Sequence, residues 1–238
     1  MAPIYNNRVI IVMPAYYAEK TLELTYQNLP KIYDKVILCD DGSKDNTFEL
    51  SKRLGITSIK HTENLGYGAN QKTLYEQALK DNPEVIIMVH PDNQYDTGCI
   101  QEMIQLIRSK KADMVLGSRI KSAIQNKMPM YKFISNRFLT FIQNYFFKTR
   151  LSEFHSGLRA YRSEIFYSLP YKKFSNDFVF DSEMIAWLVA NGYRIGEVDT
   201  NCYYNESVSS INLKRSIKYG LETLMVMIKY LFNYYKNT

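Results

Sequence analysis

The sequence contains no long hydrophobic run. None of its apolar stretches reaches the ~18 residues that a membrane-spanning helix needs. The first residues, MAPIYNNR, lack the basic and then apolar order of a secretory signal peptide. With 46% hydrophobic and 23% charged residues over 238 positions, the composition is that of an ordinary folded domain rather than of a disordered or repetitive chain. We therefore expect one globular unit without a membrane span.

Cysteine is scarce. Cys39, Cys99 and Cys202 lie far apart and form no CxxC pair. This spacing argues against a disulfide framework and against a structural zinc site. We interpret all three as reduced thiols that pack as small hydrophobic side chains in a cytoplasmic protein.

Several catalytic motifs are absent. The chain has no GxxxxGK[ST], HExxH or GxSxG sequence, so a P-loop nucleotidase, a zinc peptidase and an α/β-hydrolase are all unsupported. Gly66-Tyr67-Gly68 matches only a fragment of the dinucleotide-binding fingerprint, because the third glycine is missing. By itself this fragment indicates a tight turn into a helix.

Positive charge is present in excess but unevenly distributed. The net charge is +6, yet residues 119–150 contain seven basic and no acidic side chains, and residues 209–238 contain five basic and one acidic. Both segments are also rich in aromatic residues, whereas the rest of the chain is acidic. Such segments attract phosphate groups, whether of nucleic acid, of nucleotides or of lipids.

The first half of the chain alternates two patterns. Short apolar runs predict strands, and amphipathic stretches between them predict helices. The predicted strands are residues 8–13, 34–39, 55–60, 84–89 and 112–116; the predicted helices are 19–29, 45–54, 69–79 and 98–109. This order is typical of an α/β fold with a largely parallel sheet flanked by helices.

Polar residues follow the predicted strands. The segments are PAY (14–16), DDGS (40–43), HPDNQ (90–94) and GSR (117–119). Ligands of such sheets bind at the carboxyl ends of the strands, so these side chains are expected to form a site. For residues 40–43 a turn with a helix cap remains an alternative interpretation.

Eight motifs, in order, resemble family 2 glycosyltransferases of the branch that contains dolichol-phosphate mannose synthases and bacterial polyprenyl-phosphate glycosyltransferases. They are VIIVMPAYYAEKTL (9–22), VILCDDGSKDNT (36–47), NLGYGAN (64–70), VHPDNQYD (89–96), LGSR (116–119), SGLRAYRSEIF (156–166), FVFDSEM (178–184) and GYRIGEV (192–198). The resemblance covers residues 8–198, and more loosely 209–221.

The resemblance implies a GT-A fold and an inverting reaction, in which an acceptor displaces a nucleoside diphosphate from a sugar. It divides the chain into a glycosyltransferase domain (1–208) and a basic amphipathic C-terminal helix (209–238). Within the domain, residues 1–118 would be the nucleotide-sugar half and 119–208 the acceptor half. A diphosphate leaving group calls for Mn²⁺ or Mg²⁺.

The resemblance also implies the metal ligands. The family's Asp-x-Asp motif, with a glutamine two residues later, matches His90, Asp92 and Gln94, so a histidine replaces the first aspartate. His90 would either bind the metal, which favours Mn²⁺, or hydrogen-bond the diphosphate. A histidine that merely ends the strand is the remaining alternative.

Further donor-binding and catalytic residues follow from the same motifs. The family's PAYNE sequence reads PAYYA here, so Ala18 stands where an acid is usual. Those matched to donor binding are Pro14, Ala15, Tyr16, Asp40, Asp41, Gly68, Asp92 and Arg159; those matched to catalysis are Arg119, Asp181 and Glu183. Structural roles remain open for three of them: a surface position for Arg119, a local ion pair for Arg159 and an arginine contact for Glu183.

Two basic segments have helical spacing. In residues 131–148, Ile134, Phe138 and Tyr145 recur on one face, and residues 209–238 repeat the pattern. Such helices fit either a protein core or a membrane interface. We expect a peripheral enzyme on the inner face of the membrane that uses a nucleotide-sugar donor.

The acceptor is left open between a polyprenyl phosphate and a sugar hydroxyl. Asp181 or Glu183 would be needed as a base only for a hydroxyl, because a lipid phosphate is already an anion. A non-catalytic nucleotide-sugar binder is a further alternative, suggested by His90 and Ala18. A nucleic-acid partner is not expected, because the chain carries no aromatic RNA-binding motif or zinc finger.

Overall fold

The structure is a computed structural model that describes residues 7–123, 126, 128–203 and 213–236. Seven strands and seven α-helices, with short 3₁₀ turns between them, make up the described chain. In order they are β1 (Val9–Ala15), α1 (Leu22–Gln27), β2 (Lys35–Asp40), α2 (Thr47–Arg53), β3 (Thr57–Lys60), α3 (Tyr67–Leu79), β4 (Val85–Met88), α4 (Ile100–Arg108), β5 (Met114–Ser118), α5 (Met130–Phe147), β6 (Arg159–Arg162), α6 (Phe180–Ala190), β7 (Ile195–Asp199) and α7 (Leu213–Leu231).

The strands form one sheet in the order β3-β2-β1-β4-β6-β5-β7. Neighbouring strands are parallel except where β6 pairs antiparallel with both β4 and β5. The prediction of a largely parallel sheet flanked by helices is confirmed. The sequence patterns located β1 to β5 but missed β6 and β7, because neither RAYR nor IGEVD forms an apolar run.

Both faces of the sheet are covered by helices. Alternate residues of β1 point into different layers: Ile10 and Val12 join one buried cluster, and Ile11 and Met13 join the other. A strand that is buried on both faces must be apolar at every position, which is why β1 and β4 read as continuous hydrophobic runs. Burial of this kind stabilises the domain at roughly 25 cal/mol for each Å² of apolar surface.

The helix α7 is part of this core. It contacts α5 and α6, and it contributes Val226 and Met227 to the larger buried cluster. Tyr235, in the turn after α7, is fully buried, and its carbonyl accepts a hydrogen bond from the Asn191 side chain. The predicted boundary between residues 208 and 209 lies outside the described residues and stays a prediction.

Among the described residues, no helix has the length and apolar character needed to cross a membrane. The three cysteines are thiols rather than disulfides in the described part of the chain, with Cys39 and Cys202 buried and Cys99 half-buried. Burial, together with the nearby Asp41 and Asp40, raises the pKa of the Cys39 thiol to about 12. This thiol therefore stays protonated at neutral pH.

Gly68, in the first turn of α3, allows close packing against the loop before α6. A Cβ at this position would overlap the carbonyl oxygen of Ser175 and lie 2.8 Å from the Cβ of Phe180. By contrast, a Cβ added to Gly220, inside α7, would meet no atom within 4 Å. Both glycines lie in helices, but Gly68 is closely packed and Gly220 is not. Gly220 is therefore a suitable control for Gly68.

We expect Gly68→Ala to lower the free energy of unfolding by about 1–3 kcal/mol, because backbone must move to admit the methyl group. Gly220→Ala should raise it by about 0.5–1 kcal/mol, because alanine is the better helix former. Urea unfolding of both variants measures this difference. Equal effects of the two substitutions would contradict the packing role of Gly68.

Candidate active site

The sequence-predicted residues meet at one edge of the sheet. β2 and β3 lie on one side of β1 in the sheet, and β4 lies on the other side. The strand order therefore reverses between β1 and β4, and the crevice at the ends of these two strands is a topological switch point. β5 is parallel to β4 and ends at the same edge, and β6 begins there because it runs antiparallel. The segments that follow β1, β2, β4 and β5 and precede β6 therefore share this edge.

The loops after β1 and β2 are joined by hydrogen bonds. The Tyr17 amide donates to the Ser43 hydroxyl (2.8 Å), and the Ala18 amide donates to the Thr47 hydroxyl (2.8 Å). This holds the Tyr16 ring at the rim of the crevice with 49% of its surface exposed, whereas Ala15 beneath it is buried. Tyr16 is therefore accessible to a ligand, whereas Pro14 and Ala15 are the last two residues of β1, half-buried and buried respectively.

The departure at Ala18 has a structural reason. Ala18 is buried, with its amide bound to Thr47, so a carboxylate at this position would lie among apolar side chains. The adjacent Glu19 instead accepts hydrogen bonds from the backbone and side-chain amides of Asn46 (3.1 and 2.7 Å). Glu19 thus stabilises the start of α2.

The two aspartates after β2 have different surroundings. Asp41 accepts hydrogen bonds from the amides of Leu65 and Gly66 (3.0 Å each), and one of its oxygens lies 2.7 Å from His61 Nδ1. Both of its oxygens are therefore used in holding the glycine-containing turn before α3. Asp41 therefore stabilises the loop that borders the crevice.

Asp40 retains an unused acceptor. Its Oδ1 accepts from the Ser43 amide at 3.1 Å, but its buried Oδ2 has no hydrogen-bond partner among the described residues. The nearest cation to Oδ2 is Lys60 Nζ at 3.7 Å. A buried carboxylate oxygen without a donor is costly, so this atom is suited to bind a ligand N–H or hydroxyl.

Gly68 lies next to these residues but faces the protein. Its amide donates to the Asn176 carbonyl at 2.8 Å, and the packing described above fills the space around it. The first turn of α3 is therefore closed by the Asn176 carbonyl. Gly68 shapes the crevice, and the expected donor contact stays a prediction.

His90, Asp92 and Gln94 follow β4. Asp92 Oδ1 accepts a hydrogen bond from the Gln94 amide at 3.0 Å, which forms a tight turn, and the side chains of all three are half-buried. Burial lowers the pKa of His90 and outweighs the opposite influence of Asp92 and Asp181, so the ring is neutral at pH 7. A neutral imidazole, a carboxylate and an amide are all suitable ligands for a divalent cation.

The donor set fits a metal that is shared with a ligand. No group of three or more His, Cys, Asp or Glu side chains within the described ranges could hold an ion alone. His90, Asp92 and Gln94 supply at most three of the six positions that Mg²⁺ or Mn²⁺ prefers. Diphosphate oxygens and water would complete the coordination, which is the usual arrangement for Mg²⁺ beside phosphate groups.

Arg119, directly after β5, is held by a buried acid. Its Nε donates to Glu153 at 2.8 Å, its amide donates to the same carboxylate, and its Nη2 donates to the His155 carbonyl. Glu153 is fully buried and also accepts from Asn136 of α5. The guanidinium is therefore fixed in position at the edge of the sheet.

Arg159 and Asp181 form a buried ion pair. Arg159 is only 1% exposed, and its Nη2 lies 3.1 Å from Asp181 Oδ2. Burial would lower the pKa of Arg159, but the carboxylate of Asp181 outweighs it and raises that pKa above the usual value. The structure thus favours the local ion pair for Arg159. A nucleotide-sugar donor could not reach this buried side chain unless the surrounding protein moved.

Both oxygens of Asp181 are in use. Oδ1 accepts from the Gln71 side chain at 2.9 Å, and Oδ2 accepts from the Tyr67 hydroxyl at 3.0 Å as well as from Arg159. Each oxygen therefore already accepts from at least one donor of the protein. The expected role of Asp181 as a general base stays a prediction, which these contacts disfavour.

Glu183 points elsewhere. Side chains two positions apart on an α-helix point in directions that differ by about 200°, so Glu183 cannot share a face with Asp181. Its carboxylate accepts from the Ser175 amide at 2.6 Å and lies 3.6 Å from Lys229 of α7. The cation it contacts is thus a lysine of the C-terminal helix rather than an arginine, and a catalytic role is disfavoured.

Several residues of the site had no sequence signal. Tyr67 bridges His90 and Asp181, and Glu153 fixes Arg119. His155 Nδ1 lies 2.7 Å from the hydroxyl of Tyr219, which connects α7 to the site. Tyr67 stands inside one of the eight motifs, but only the folded chain shows what it contacts.

We expect His155 to make stability depend on pH. Burial, and then the charges of Arg119 and Arg159, lower its pKa to about 3, against ~6.5 in the unfolded chain. Below pH 6.5 the unfolded state therefore binds more protons than the folded state does. The contribution of the neutral His155 ring to the free energy of unfolding is lost as pH falls from ~6.5 toward 3. Between pH 7 and 5 the loss should be about 1–2 kcal/mol, discounted for partial exposure.

The measurement is urea unfolding of the unmodified chain and of His155→Gln at several pH values. The neutral glutamine should remove this part of the pH dependence. Tyr219→Phe, which keeps the histidine but loses its hydroxyl partner, is the control and should retain the dependence. Parallel curves for the unmodified chain and His155→Gln would contradict the assignment.

The sequence and fold match known proteins. The sequence model described as glycosyl transferase family 2 matches residues 10–169. The chain is 30% identical over 209 residues to the uncharacterized protein MJ1222 of Methanocaldococcus jannaschii, covering 85% of this chain and 84% of that protein. It is 28% identical over 243 residues to UDP-N-acetylglucosamine–dolichyl-phosphate N-acetylglucosaminyltransferase of Methanococcus voltae, covering 94% and 97%.

Among solved structures, the fold matches glucosyl-3-phosphoglycerate synthase of Mycobacterium tuberculosis in complex with Mn²⁺, UDP-glucose and phosphoglyceric acid. The TM-score is 0.71 at 14% identity, over 94% of this chain and 80% of that one. This likeness identifies the fold as GT-A. The family model spans more than half of the sequence. The chain therefore belongs to glycosyl transferase family 2 and is a glycosyltransferase.

Proposed function

We propose that the enzyme transfers a hexose, or its N-acetylamino derivative, from a nucleoside-diphosphate sugar to a polyprenyl phosphate with inversion at the anomeric carbon. The observation that carries this proposal is the meeting of Tyr16, Asp40, His90 and Asp92 at the switch point of the sheet. The relative from Methanococcus voltae, named for transfer to dolichyl phosphate, supports the same acceptor class.

The donor would lie across the crevice. The exposed Tyr16 ring offers a surface for the base. Asp40 Oδ2, which has no hydrogen-bond donor among the described residues, offers an acceptor for a base N–H or a ribose hydroxyl. His90, Asp92 and Gln94 would hold Mn²⁺ or Mg²⁺ together with the diphosphate. A divalent cation bound there would neutralise the charge that develops on the leaving diphosphate.

The acceptor would approach near Arg119. Its guanidinium, fixed by Glu153, presents a cation that suits a phosphate group. A phosphate acceptor is already an anion and attacks without loss of a proton, so the reaction needs no general base. This agrees with the occupied oxygens of Asp181.

Transfer to a sugar hydroxyl is the second candidate. It would require a base, and Asp181 is linked to His90 through the Tyr67 hydroxyl. Turnover assays with a polyprenyl phosphate and with sugar acceptors separate the two.

Asp92→Asn tests the metal site. The amide oxygen can still accept from the Gln94 backbone, so the turn survives while one metal-binding charge is removed. The unmodified chain is tested with UDP, GDP and CDP in turn, each with Mn²⁺. The nucleotide that binds, at about a hundred times its dissociation constant, should raise the free energy of unfolding by roughly 2.7 kcal/mol. This corresponds to a rise in Tm of about 5–10 °C.

The variant should lose this metal-dependent shift and retain at most a few per cent of turnover. Glu164→Gln, an exposed acid just after β6 at the opposite edge of the sheet, should behave like the unmodified chain. Full retention of the shift and of turnover by a folded Asp92→Asn would remove Asp92 from the metal site. No shift with any nucleotide would favour another function.

We also propose that the enzyme docks on the cytoplasmic face of the membrane through α5 and α7. Each helix carries a row of exposed apolar side chains three or four residues apart. They are Tyr131, Ile134, Phe138, Phe141 and Tyr145 on α5, and Ile217, Leu221, Met225, Ile228 and Phe232 on or just after α7. The two helices are in contact, so the rows lie on neighbouring elements.

This face is connected to the acceptor side of the site. On α5, Asn136 donates to Glu153, the acid that holds Arg119; on α7, Tyr219 contacts His155, whose carbonyl accepts from Arg119. Basic residues of the same segments can meet anionic headgroups. A lipid-linked phosphate held at the bilayer surface would thus arrive beside Arg119.

Membrane docking predicts the effect of a double variant, Phe141→Ser with Leu221→Ser. These side chains are 72% and 64% exposed, so their loss should leave the fold unchanged. Each contributes up to about 1.5–3 kcal/mol when it is removed from water. Binding to vesicles that contain phosphatidylglycerol, measured by flotation, should fall about tenfold or more.

Leu24→Ser, on the exposed side of α1, is the matched control and should leave vesicle binding unchanged. Equal binding of the double variant and the unmodified chain would exclude this face as the docking surface. Turnover with a water-soluble acceptor should be the same in all three proteins.

A further inference from the structure

The hydroxyl of Tyr67 lies between two groups of the site. It is 2.9 Å from His90 Nε2 and 3.0 Å from Asp181 Oδ2. A hydroxyl carries one proton, so it can donate to only one of these atoms and must accept from the other if both hydrogen bonds are formed.

The surroundings of Asp181 decide the direction. This carboxylate lies 3.1 Å from the Arg159 guanidinium and accepts from Gln71, so its oxygens act here as acceptors. Tyr67 therefore donates to Asp181. The second hydrogen bond then requires a proton on His90 Nε2, which donates to the tyrosine oxygen.

An imidazole that binds a metal ion through one nitrogen carries its single proton on the other, so a proton on Nε2 leaves the lone pair of Nδ1 for the metal. No hydrogen bond to Nδ1 is formed by any residue in the described part of the chain. The same part of the ring is confined by Gly157, because a Cβ on that residue would lie 3.0 Å from both Cε1 and Nε2. Gly157 thus permits the close approach that fixes the imidazole.

We propose that Tyr67 is a positioning residue that, anchored by the Asp181–Arg159 pair, keeps the proton of His90 on Nε2 so that Nδ1 binds the catalytic metal. This inference rests on the proposed function. It assigns Asp181 a part in orienting a metal ligand instead of removing a proton from the acceptor. It also explains how a histidine can stand where relatives of this branch carry an aspartate.

The exchange of a carboxylate for a neutral nitrogen has a chemical consequence. Imidazole binds Mn²⁺ more readily than Mg²⁺, which prefers oxygen. A second hydrogen bond to a ligating histidine fixes its tautomer, and its loss usually lowers metal affinity 10–100-fold. A carboxylate at position 90 would need no such help.

The test measures Mn²⁺ binding in the presence of UDP or GDP, whichever nucleotide gives the metal-dependent Tm shift. Pulsed electron paramagnetic resonance should detect a nitrogen coupled to Mn²⁺ in the unmodified enzyme and none in His90→Ala. In Tyr67→Phe the Mn²⁺ affinity should fall about tenfold. The phenylalanine ring can keep the stacking on Phe178, where the centroids are 5.0 Å apart, so the fold is retained.

A double substitution makes the test specific. In a His90→Asp background, Tyr67→Phe should change Mn²⁺ affinity less than twofold, because a carboxylate has no tautomer to fix. His90→Asp should also bind Mg²⁺ and Mn²⁺ more equally than the unmodified enzyme does. Tyr171→Phe, which removes the hydroxyl of a buried tyrosine on a different segment, should leave Mn²⁺ affinity unchanged.

The outcomes separate this inference from the proposed function. If the unmodified enzyme binds Mn²⁺ with nucleotide but shows no nitrogen coupling, the inference is overturned and the function stands. The inference also fails if Tyr67→Phe lowers Mn²⁺ affinity equally in both backgrounds, or leaves it unchanged. If the unmodified chain binds no metal with any nucleotide, the proposed function itself is wrong.

Discussion

The buried ion pair between Arg159 and Asp181 is the interaction around which the site is organised. Charges removed from water are costly unless they are paired and hydrogen-bonded, and loss of one partner of such a pair typically costs about 3–5 kcal/mol. Gln71 and Tyr67 of α3 donate to Asp181, and the carbonyls of Ser156 and Phe154 accept from Arg159, whose Nη1 alone has no hydrogen-bond partner among the described residues. The pair therefore binds α3, α6 and the start of β6 into one rigid support.

The antiparallel strand β6 makes this arrangement possible. Its first residue, Arg159, pairs with Met88 at the end of β4 and with Leu116 near the end of β5. A parallel strand in this position would bring its last residue to the active edge. By running in the opposite direction, β6 places the loop that contains Ser156 and Gly157 between the donor side and the acceptor side of the crevice.

Much of this architecture could be predicted from the sequence, because strands buried on both faces must be apolar throughout. The segments after β1, β2, β4 and β5 were also recognisable, since strand ends carry the ligands in such sheets. β6 could not be found in this way, because hydropathy does not identify a buried arginine. The contacts of Tyr67 with His90 and Asp181 could not be found either. These partners are 23 and 114 positions further along the chain, so the contacts depend on how distant segments pack.

The burial of Tyr235 has a consequence for how the chain folds. The larger hydrophobic cluster joins Ile10 of the first strand to Val226, Met227 and Tyr235 at the other end of the described chain. Contacts between such distant residues form slowly, and a chain growing on the ribosome cannot make them until the last partner has emerged. The nascent protein therefore exposes part of its core until synthesis has passed Tyr235. During this interval it depends on protection from aggregation.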